Sequence, residues 1–286
     1  MSICYLNGVY QTKFDSMISI QDRGFNFSDG VYEVMSYSNS KIINFNKHLD
    51  RLNMSLQELR IKHPFRNNKS LKLIINKLIR LNKFKQGFLY LQITRGSAAR
   101  NHLFPKIISP NIVIFTFSTK IENSFVKNGV KVNLTEDKRW SRCDIKSISL
   151  LPNVLEKQNA LENGFYETWQ IRNNYITEGS TSNAFIINKN NEIQTHPANN
   201  FILGGVTRDS VIEVAKKLNL KIKEKAFKAC DINTCKEAFL TSTTVRILPV
   251  VKIQKKNIHN GKPGLITRKL MSEYNEFINS QINEKY

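Results

Sequence analysis

Arg142-Cys143-Asp144-Ile145-Lys146-Ser147-Ile148-Ser149-Leu150-Leu151 sets one lysine, Lys146, among four aliphatic side chains: Ile145, Ile148, Leu150 and Leu151. An amine in apolar surroundings is costly as an ammonium ion, which is how lysine becomes a Schiff-base nucleophile. With 43 lysines and arginines in 286 residues, the commonest role of any single lysine here is a solvated charge. Residues downstream of Lys146 have to make the difference.

Three stretches do. Thr177-Glu178-Gly179-Ser180 places a carboxylate at the end of a strand-like run and before a turn of small residues, where backbone approaches a ligand closely. An acid there suits a protonated pyridine nitrogen, although a turn glutamate is more often solvent-exposed. Gly204-Gly205-Val206-Thr207 opens a run in which Val211, Ile212, Val214, Ala215 and Leu218 mark one helical face. The amides at such a start favour an anion, while the absence of a Gly-Lys-Ser/Thr ending argues against a nucleotide triphosphate. Thr241-Ser242-Thr243-Thr244 adds hydroxyls after the apolar Ala238-Phe239-Leu240. Each has a plain structural role on its own: turn cap, glycine turn, strand end. A lysine, an acid and two phosphate cradles together point to pyridoxal phosphate.

Composition sets the frame. A chain that is 41% hydrophobic and 10% aromatic is globular, and its length suits two domains. The opening residues Met1-Ser2-Ile3-Cys4-Tyr5-Leu6-Asn7-Gly8 lack a leader pattern, and no run approaches the ~18 apolar residues of a membrane span. Cys4, Cys143, Cys230 and Cys235 form no C-x-x-C pair, so neither a metal site nor a disulfide framework is expected, and a reducing cytoplasm fits best. The net charge of +20 attracts nucleic acid in principle, but it is scattered over Lys72, Lys77, Arg80, Lys83 and Lys85 and over Lys216, Lys217, Lys221, Lys223 and Lys225. No basic-aromatic motif or finger spacing accompanies it. The different-class alternative is therefore a basic nucleic-acid-binding protein on an inactive enzyme fold.

Strand and helix signals alternate in the first part. Leu6-Asn7-Gly8-Val9-Tyr10 reads as a tight hairpin, and Gly30 to Tyr37 alternates as a half-buried strand. Asn46 is expected to cap a helix carrying Leu49, Leu52, Leu56, Leu59 and Arg51. Ser70 is expected to cap a second, with Leu71, Ile74, Ile75, Leu78 and Leu81 as its stripe and Gly87 as its stop. Phe88 to Arg95 and Ile112 to Phe117 read as strands, and the polar stretch after them marks a boundary: an α/β domain over 1–120 and a strand-rich domain over 121–286. In the latter, Asn173-Asn174 and Lys189-Asn190-Asn191 join strands, and helices are expected near 153–163, 208–218 and 266–278. The loop holding Arg100-Asn101-His102 offers a planar fork and a donor to a carboxylate.

These pieces occur in an order that resembles the fold-type IV pyridoxal-phosphate enzymes, within the class IV aminotransferases, and most closely their D-amino-acid aminotransferase branch. The resemblance runs nearly end to end, through Asp22-Arg23-Gly24-Phe25-Asn26-Phe27-Ser28-Asp29-Gly30-Val31-Tyr32-Glu33-Val34, His48-Leu49-Asp50-Arg51-Leu52, Thr94-Arg95-Gly96, Arg100-Asn101-His102, Asp144-Ile145-Lys146-Ser147, Thr177-Glu178-Gly179-Ser180 and Thr207-Arg208-Asp209. It implies a smaller N-terminal α/β domain and a larger C-terminal pseudobarrel. It also implies that Lys146 carries the cofactor covalently and acts as catalytic acid and base, and that Glu178 pairs with the pyridine nitrogen. Arg51, Gly205, Val206, Thr207 and Thr243 would hold the phosphate. Tyr32, Arg100 and His102, with Thr244 beside them, would hold substrate, the arginine and histidine reaching across a homodimer. The implied reaction moves an amino group from a D-amino acid such as D-alanine to a 2-oxo acid such as 2-oxoglutarate, giving pyruvate and D-glutamate. Branched-chain L-aminotransferase, aminodeoxychorismate lyase and (R)-amine transaminase activities share this machinery and stay open. One departure is Arg246, where an acidic residue is more usual in the branch; beside the pocket it would favour acidic substrates, and outside it would face solvent.

Overall fold

The computed structural model of the chain describes residues 2–118 and 122–283. The polypeptide forms two compact units: Met1–Thr119 with Ile145–Ser149 and Gln281–Tyr286, and Lys120–Asp144 with Leu150–Ser280. The boundary expected at 120/121 falls outside the described residues, and the five residues around Lys146 belong to the first unit rather than the second. Among the described residues, no helix is long and apolar enough to cross a membrane.

In the first unit, β1 (Ile3–Leu6) and β2 (Val9–Thr12) meet at Asn7-Gly8, both at positive φ (46° and 101°), as a tight hairpin requires. There follow α1 (Arg23–Phe27), β3 (Gly30–Ser38), β4 (Lys41–Ile42), α2 (Phe45–Glu58), α3 (Asn68–Asn82), β5 (Gln86–Thr94) and β6 (Asn111–Phe117). The strands form one sheet in the order β2-β1-β6-β5-β3-β4, antiparallel throughout. Alternation along β3 buries Val31, Glu33, Met35 and Tyr37 on one face and turns Tyr32, Val34 and Ser36 to the other. Against the buried face pack Leu49, Leu52 and Leu56 of α2 and Leu71, Ile75 and Leu78 of α3, together with Leu89, Leu91, Ile93 and Ile114.

The helix ends differ from expectation. Asn46 lies inside α2, whose cap position is Asn44, and Asn67 caps α3 by accepting the Ser70 N–H at 2.9 Å. A cap must reach the third helical amide, and Ser70 is that amide. Lys83, in the left-handed conformation, ends α3 before Gly87, which belongs to β5.

The second unit contains α4 (Asn123–Asn128), β7 (Val130–Glu136), α5 (Leu151–Glu162), β8 (Glu167–Arg172), β9 (Tyr175–Gly179), β10 (Asn183–Ile187), β11 (Ile193–Thr195) and α6 (Val206–Lys217). Then come β12 (Ile222–Glu224), β13 (Glu237–Ser242), β14 (Arg246–Ile253), β15 (Lys256–Asn257) and α7 (Leu265–Asn283). Its nine strands run β12-β11-β10-β13-β14-β7-β8-β9, with β15 on β14. β9 ends this path, yet the short turn Ser180-Thr181-Ser182 joins it to β10 on the far side. A turn that short forces the six strands from β10 to β9 to curl toward closure, which is the expected pseudobarrel. Trp169, Phe227, Ile176, Leu240, Leu248 and Val250 fill its interior.

Leu78 is fully buried between helix and sheet. Leu78→Ala is expected to cost about 2–5 kcal/mol, measured as a lower urea midpoint of the first unit; a change below ~1 kcal/mol would contradict this packing.

Candidate active site

The segment carrying Lys146 pairs with the start of β3 through one isolated bridge. The Tyr32 N–H donates to the Lys146 carbonyl at 3.0 Å, the Ile148 N–H donates to the Gly30 carbonyl at 3.1 Å, and Val31 bridges Ser147 antiparallel. The Lys146 N–H donates to Ser55 Oγ of α2 at 3.1 Å. Gly30 is needed here: a Cβ would sit 2.7 Å from the Ile93 carbonyl oxygen and 3.1 Å from Ile148. With its backbone so held, the half-buried Lys146 side chain places Nζ 3.9 Å from the centroid of the Tyr32 ring. The amine forms no hydrogen bond with any described residue.

Behind Tyr32, on the other face of β3, Glu33 is fully buried. Arg51 grips it with two bonds, Nε to Oε1 at 2.7 Å and Nη2 to Oε2 at 2.8 Å, and His48 Nδ1 lies 2.8 Å from Oε2. Burial alone would raise this carboxyl, but the Arg51 charge and bonds, followed by His48, outweigh it and hold the pKa at about 2. Burial lowers His48 in turn, against the pull of Glu33, so its ring is neutral near pH 7. Neither Glu33 nor His48 was singled out from sequence.

Arg100 and His102 lie elsewhere in the same unit, exposed on the loop between β5 and β6 and gathered about Phe27. That loop is tied at its base. Asp29 accepts from Arg23 Nε at 2.8 Å and from Arg95 at 2.7 and 2.9 Å; Arg95 also bonds the Leu59 and Arg60 carbonyls and lies 3.6 Å over Phe104. Gly96 opens the loop at φ +116°, where a Cβ would be 2.1 Å from the Ser109 carbonyl oxygen.

In the second unit, Glu178 on β9 is buried among donors. Arg139 Nη1 and Asn183 Nδ2 (2.9 Å) bond it, and the Leu203 N–H lies 3.1 Å from both oxygens. Burial pushes this carboxyl above its usual range, and Arg139 with the Leu203 amide pulls it back only in part. Arg139 is shared with Asp137, whose carboxyl it holds low against burial. Glu178 thus retains an unmet demand for positive charge, which a pyridine nitrogen carrying a proton would meet. Arg139 and Asn183 escaped notice because sequence separations of 39 and 5 fit no motif.

Gly205 precedes α6 without a side-chain cap, so the helix presents its first amides, Val206 and Thr207, as an anion seat. A Cβ on Gly205 would lie 2.0 Å from Asn183 Oδ1, so the residue beside Glu178 also packs under this seat. Thr207 is buried at this helix start. Thr243 and Thr244 form the half-buried turn between β13, against which α6 packs, and β14. Arg246 is exposed and bonds Asn275 Oδ1 at 2.7 Å, so its charge is engaged at the surface. Among the described residues, no group of His, Cys, Asp and Glu could hold a metal ion. Each unit by itself carries groups that suit pyridoxal phosphate: in the first an amine over a tyrosine, in the second a buried acid and a helix start with hydroxyls nearby.

Glu33 gives a pH signature. Its pKa falls from 4.5 to about 2 on folding, so its stabilisation is whole above pH 4.5 and is lost as pH drops toward 2. His48, lowered on folding, adds a loss in the same direction below its ordinary range. Glu33→Gln is expected to lower stability at pH 7 by about 3 kcal/mol and to flatten the acid limb of a urea-midpoint profile; an unchanged limb would refute the assignment.

Comparisons with known proteins bear on this arrangement. The family model of amino-transferase class IV matches residues 30–253. A D-alanine aminotransferase of Staphylococcus aureus (strain N315) is 37% identical over 98% of this chain and 99% of its own length. A D-alanine aminotransferase of Bacillus licheniformis is 36% identical over 96% of each. In fold, the chain is similar to the branched-chain amino acid aminotransferase of Escherichia coli (TM-score 0.90, 20% identity, 100% and 97% covered). It is also similar to that of Thermoproteus uzoniensis with norvaline (TM-score 0.87, 20% identity, 99% and 96% covered). By the family match and the full-length relatives, the chain belongs to the class IV aminotransferases.

Proposed function

We propose that this chain transfers an amino group between a D-amino acid, with D-alanine as the reference donor, and a 2-oxo acid such as 2-oxoglutarate, yielding pyruvate and D-glutamate. The observation that carries this reading is the 37% identity to a D-alanine aminotransferase over 98% of the chain, joined to the fixed seat of Lys146 against Tyr32. Class IV aminotransferases are pyridoxal-phosphate enzymes. When bound, that cofactor supplies an electron sink for the charge left on the substrate Cα.

In this reading Lys146 would anchor the cofactor as nucleophile and, once released, would serve as the base that takes the proton from the substrate Cα and the acid that gives it back. Glu178, kept in place by Arg139, Asn183 and the Leu203 amide, would pair with the pyridine nitrogen of the cofactor. Arg51, locked by Glu33, would hold the cofactor phosphate, as would Gly205, Val206, Thr207 and Thr243. Tyr32, Arg100, His102 and Thr244 hold the substrate, with Arg100 and His102 supplied by the second copy of a homodimer. A cytoplasmic setting suits both substrates.

The deciding experiment is pyruvate release from D-alanine and 2-oxoglutarate, with L-leucine as control. D-alanine is expected to turn over and L-leucine is not; turnover of L-leucine alone would replace this reading with the branched-chain one. Lys146→Ala is expected to lose at least ~100-fold in turnover, the visible band of the lysine-bound cofactor and its borohydride trapping. Retention of the trapped adduct would remove Lys146 from its role.

A further inference from the structure

The loop between β5 and β6 carries a cation without an anion. Arg100 forms no ion pair and no guanidinium hydrogen bond with any described residue, and the His102 ring forms no hydrogen bond either. What the two share is one ring. The Arg100 guanidinium carbon is 5.0 Å from the centroid of Phe27, and the His102 ring is 5.3 Å from it at 50°.

Arg23 touches the same ring at 4.8 Å, and it is itself immobile: buried, bonded to Asp29 at 2.8 Å, and donating to the backbone carbonyls of Asn101, His102 (3.5 Å) and Leu103 (3.4 Å). So the backbone of residues 101–103 and the side chains of Arg100 and His102 are referred to neighbouring residues of one short element, α1. Phe27 has no packing duty that explains it. It is only half-buried and lies outside the core cluster of its unit, while Phe25 on the same helix is 78% exposed.

We infer that Phe27 is a positioning residue: a platform that presets the Arg100 guanidinium and the His102 ring to receive the carboxylate of the amino-acid substrate. The inference rests on the reading that this pair holds that carboxylate. A long arginine on an exposed loop samples many rotamers, and the ring contact removes much of that freedom before substrate arrives. Contact through the ring face uses no N–H···O bond, so the planar fork keeps its donors for a bidentate carboxylate. Asp29 is already taken up by Arg23 and Arg95, which leaves the Arg100 charge to the incoming anion.

Four variants of the cofactor-loaded enzyme test this: Phe27→Leu, which keeps apolar bulk without a π face, Phe27→Ala, Phe27→Tyr and Arg100→Ala. Phe27→Leu and Phe27→Ala are expected to raise KM for D-alanine and for 2-oxoglutarate about 5- to 30-fold, with kcat within about twofold and the cofactor absorption band unchanged. Phe27→Tyr restores the face and is expected to stay within about twofold of the parent in KM. If Arg100→Ala raises KM while Phe27→Leu does not, the platform is refuted and the carboxylate reading stands. If Arg100→Ala leaves KM unchanged, the carboxylate reading falls and the platform with it. A Phe27→Leu variant that loses kcat and the absorption band together with KM would mark a general structural role and likewise overturn the inference.

Discussion

Two backbone hydrogen bonds, from the Tyr32 amide to the Lys146 carbonyl and from the Ile148 amide to the Gly30 carbonyl, decide where the Lys146 side chain can be. They pair residues 146–148 with the start of β3, so residues 145–149 belong to the first unit although the chain on both sides belongs to the other. Strand pairing is intolerant of slippage, because a shift of one residue would turn Lys146 to the opposite face. Gly30 lets the pairing form, and Ser55 of α2 fixes the Lys146 amide from a third direction. The helices matter to the site through this route: α2 supplies Ser55 to the lysine and, three and seven residues earlier, Leu52 and His48 to the core and to Glu33.

Two buried carboxylates show how environment divides roles between like groups. Glu33 is saturated with charge: a bidentate guanidinium and an imidazole bring it far below the usual range, so it stays a fixed anion whose work is to lock Arg51 and orient β3 behind Tyr32. Glu178 is as deeply buried, but its one arginine is divided with Asp137, and burial prevails. A fully compensated acid has nothing to offer a ligand. An under-compensated one favours a cationic N–H, so the two buried acids differ in what their surroundings leave to be met.

Much of the frame was legible from local signals. Asn7-Gly8 and Asn173-Asn174 sit at positive φ as their sequence implies, and the leucine and isoleucine stripes of α2 and α3 face the core. What local pattern could not supply was the partner of a short segment. Five residues around Lys146 carry no period long enough to show that they pair with the start of β3, more than a hundred residues away. Glu33 looked like one polar position in an alternating strand; only its burial on the apolar face reveals it, and the His48/Arg51 pair, three apart on one helix face, was the available signal. Motif order was informative for the same reason that it was opaque. Asp22, Arg23, Gly24 and Asp29 are held together by contacts to Thr94, Arg95, Asn101 and Asn111, which lie far along the chain, so the words can be read as a family signature without revealing that they build a loop base.

The contrast within Lys146 itself completes the physical picture. Its backbone is held from three directions, yet its amine lies over the face of Tyr32 and makes no hydrogen bond to any described residue. A lysine fixed by a carboxylate would be a permanent cation with its proton committed, and a lysine free along its whole length would spend its reactivity on solvent. Anchoring the main chain while leaving Nζ against an aromatic face keeps the donor within a small volume and leaves its four-carbon stem free to swing. The proposed chemistry asks for that combination, since one amine must both bond covalently and, once released, carry a proton between two carbon atoms a short reach apart. A ring face suits it better than a hydrogen-bond acceptor would: it attracts the ammonium without directing any one proton, so little has to be broken when the amine moves.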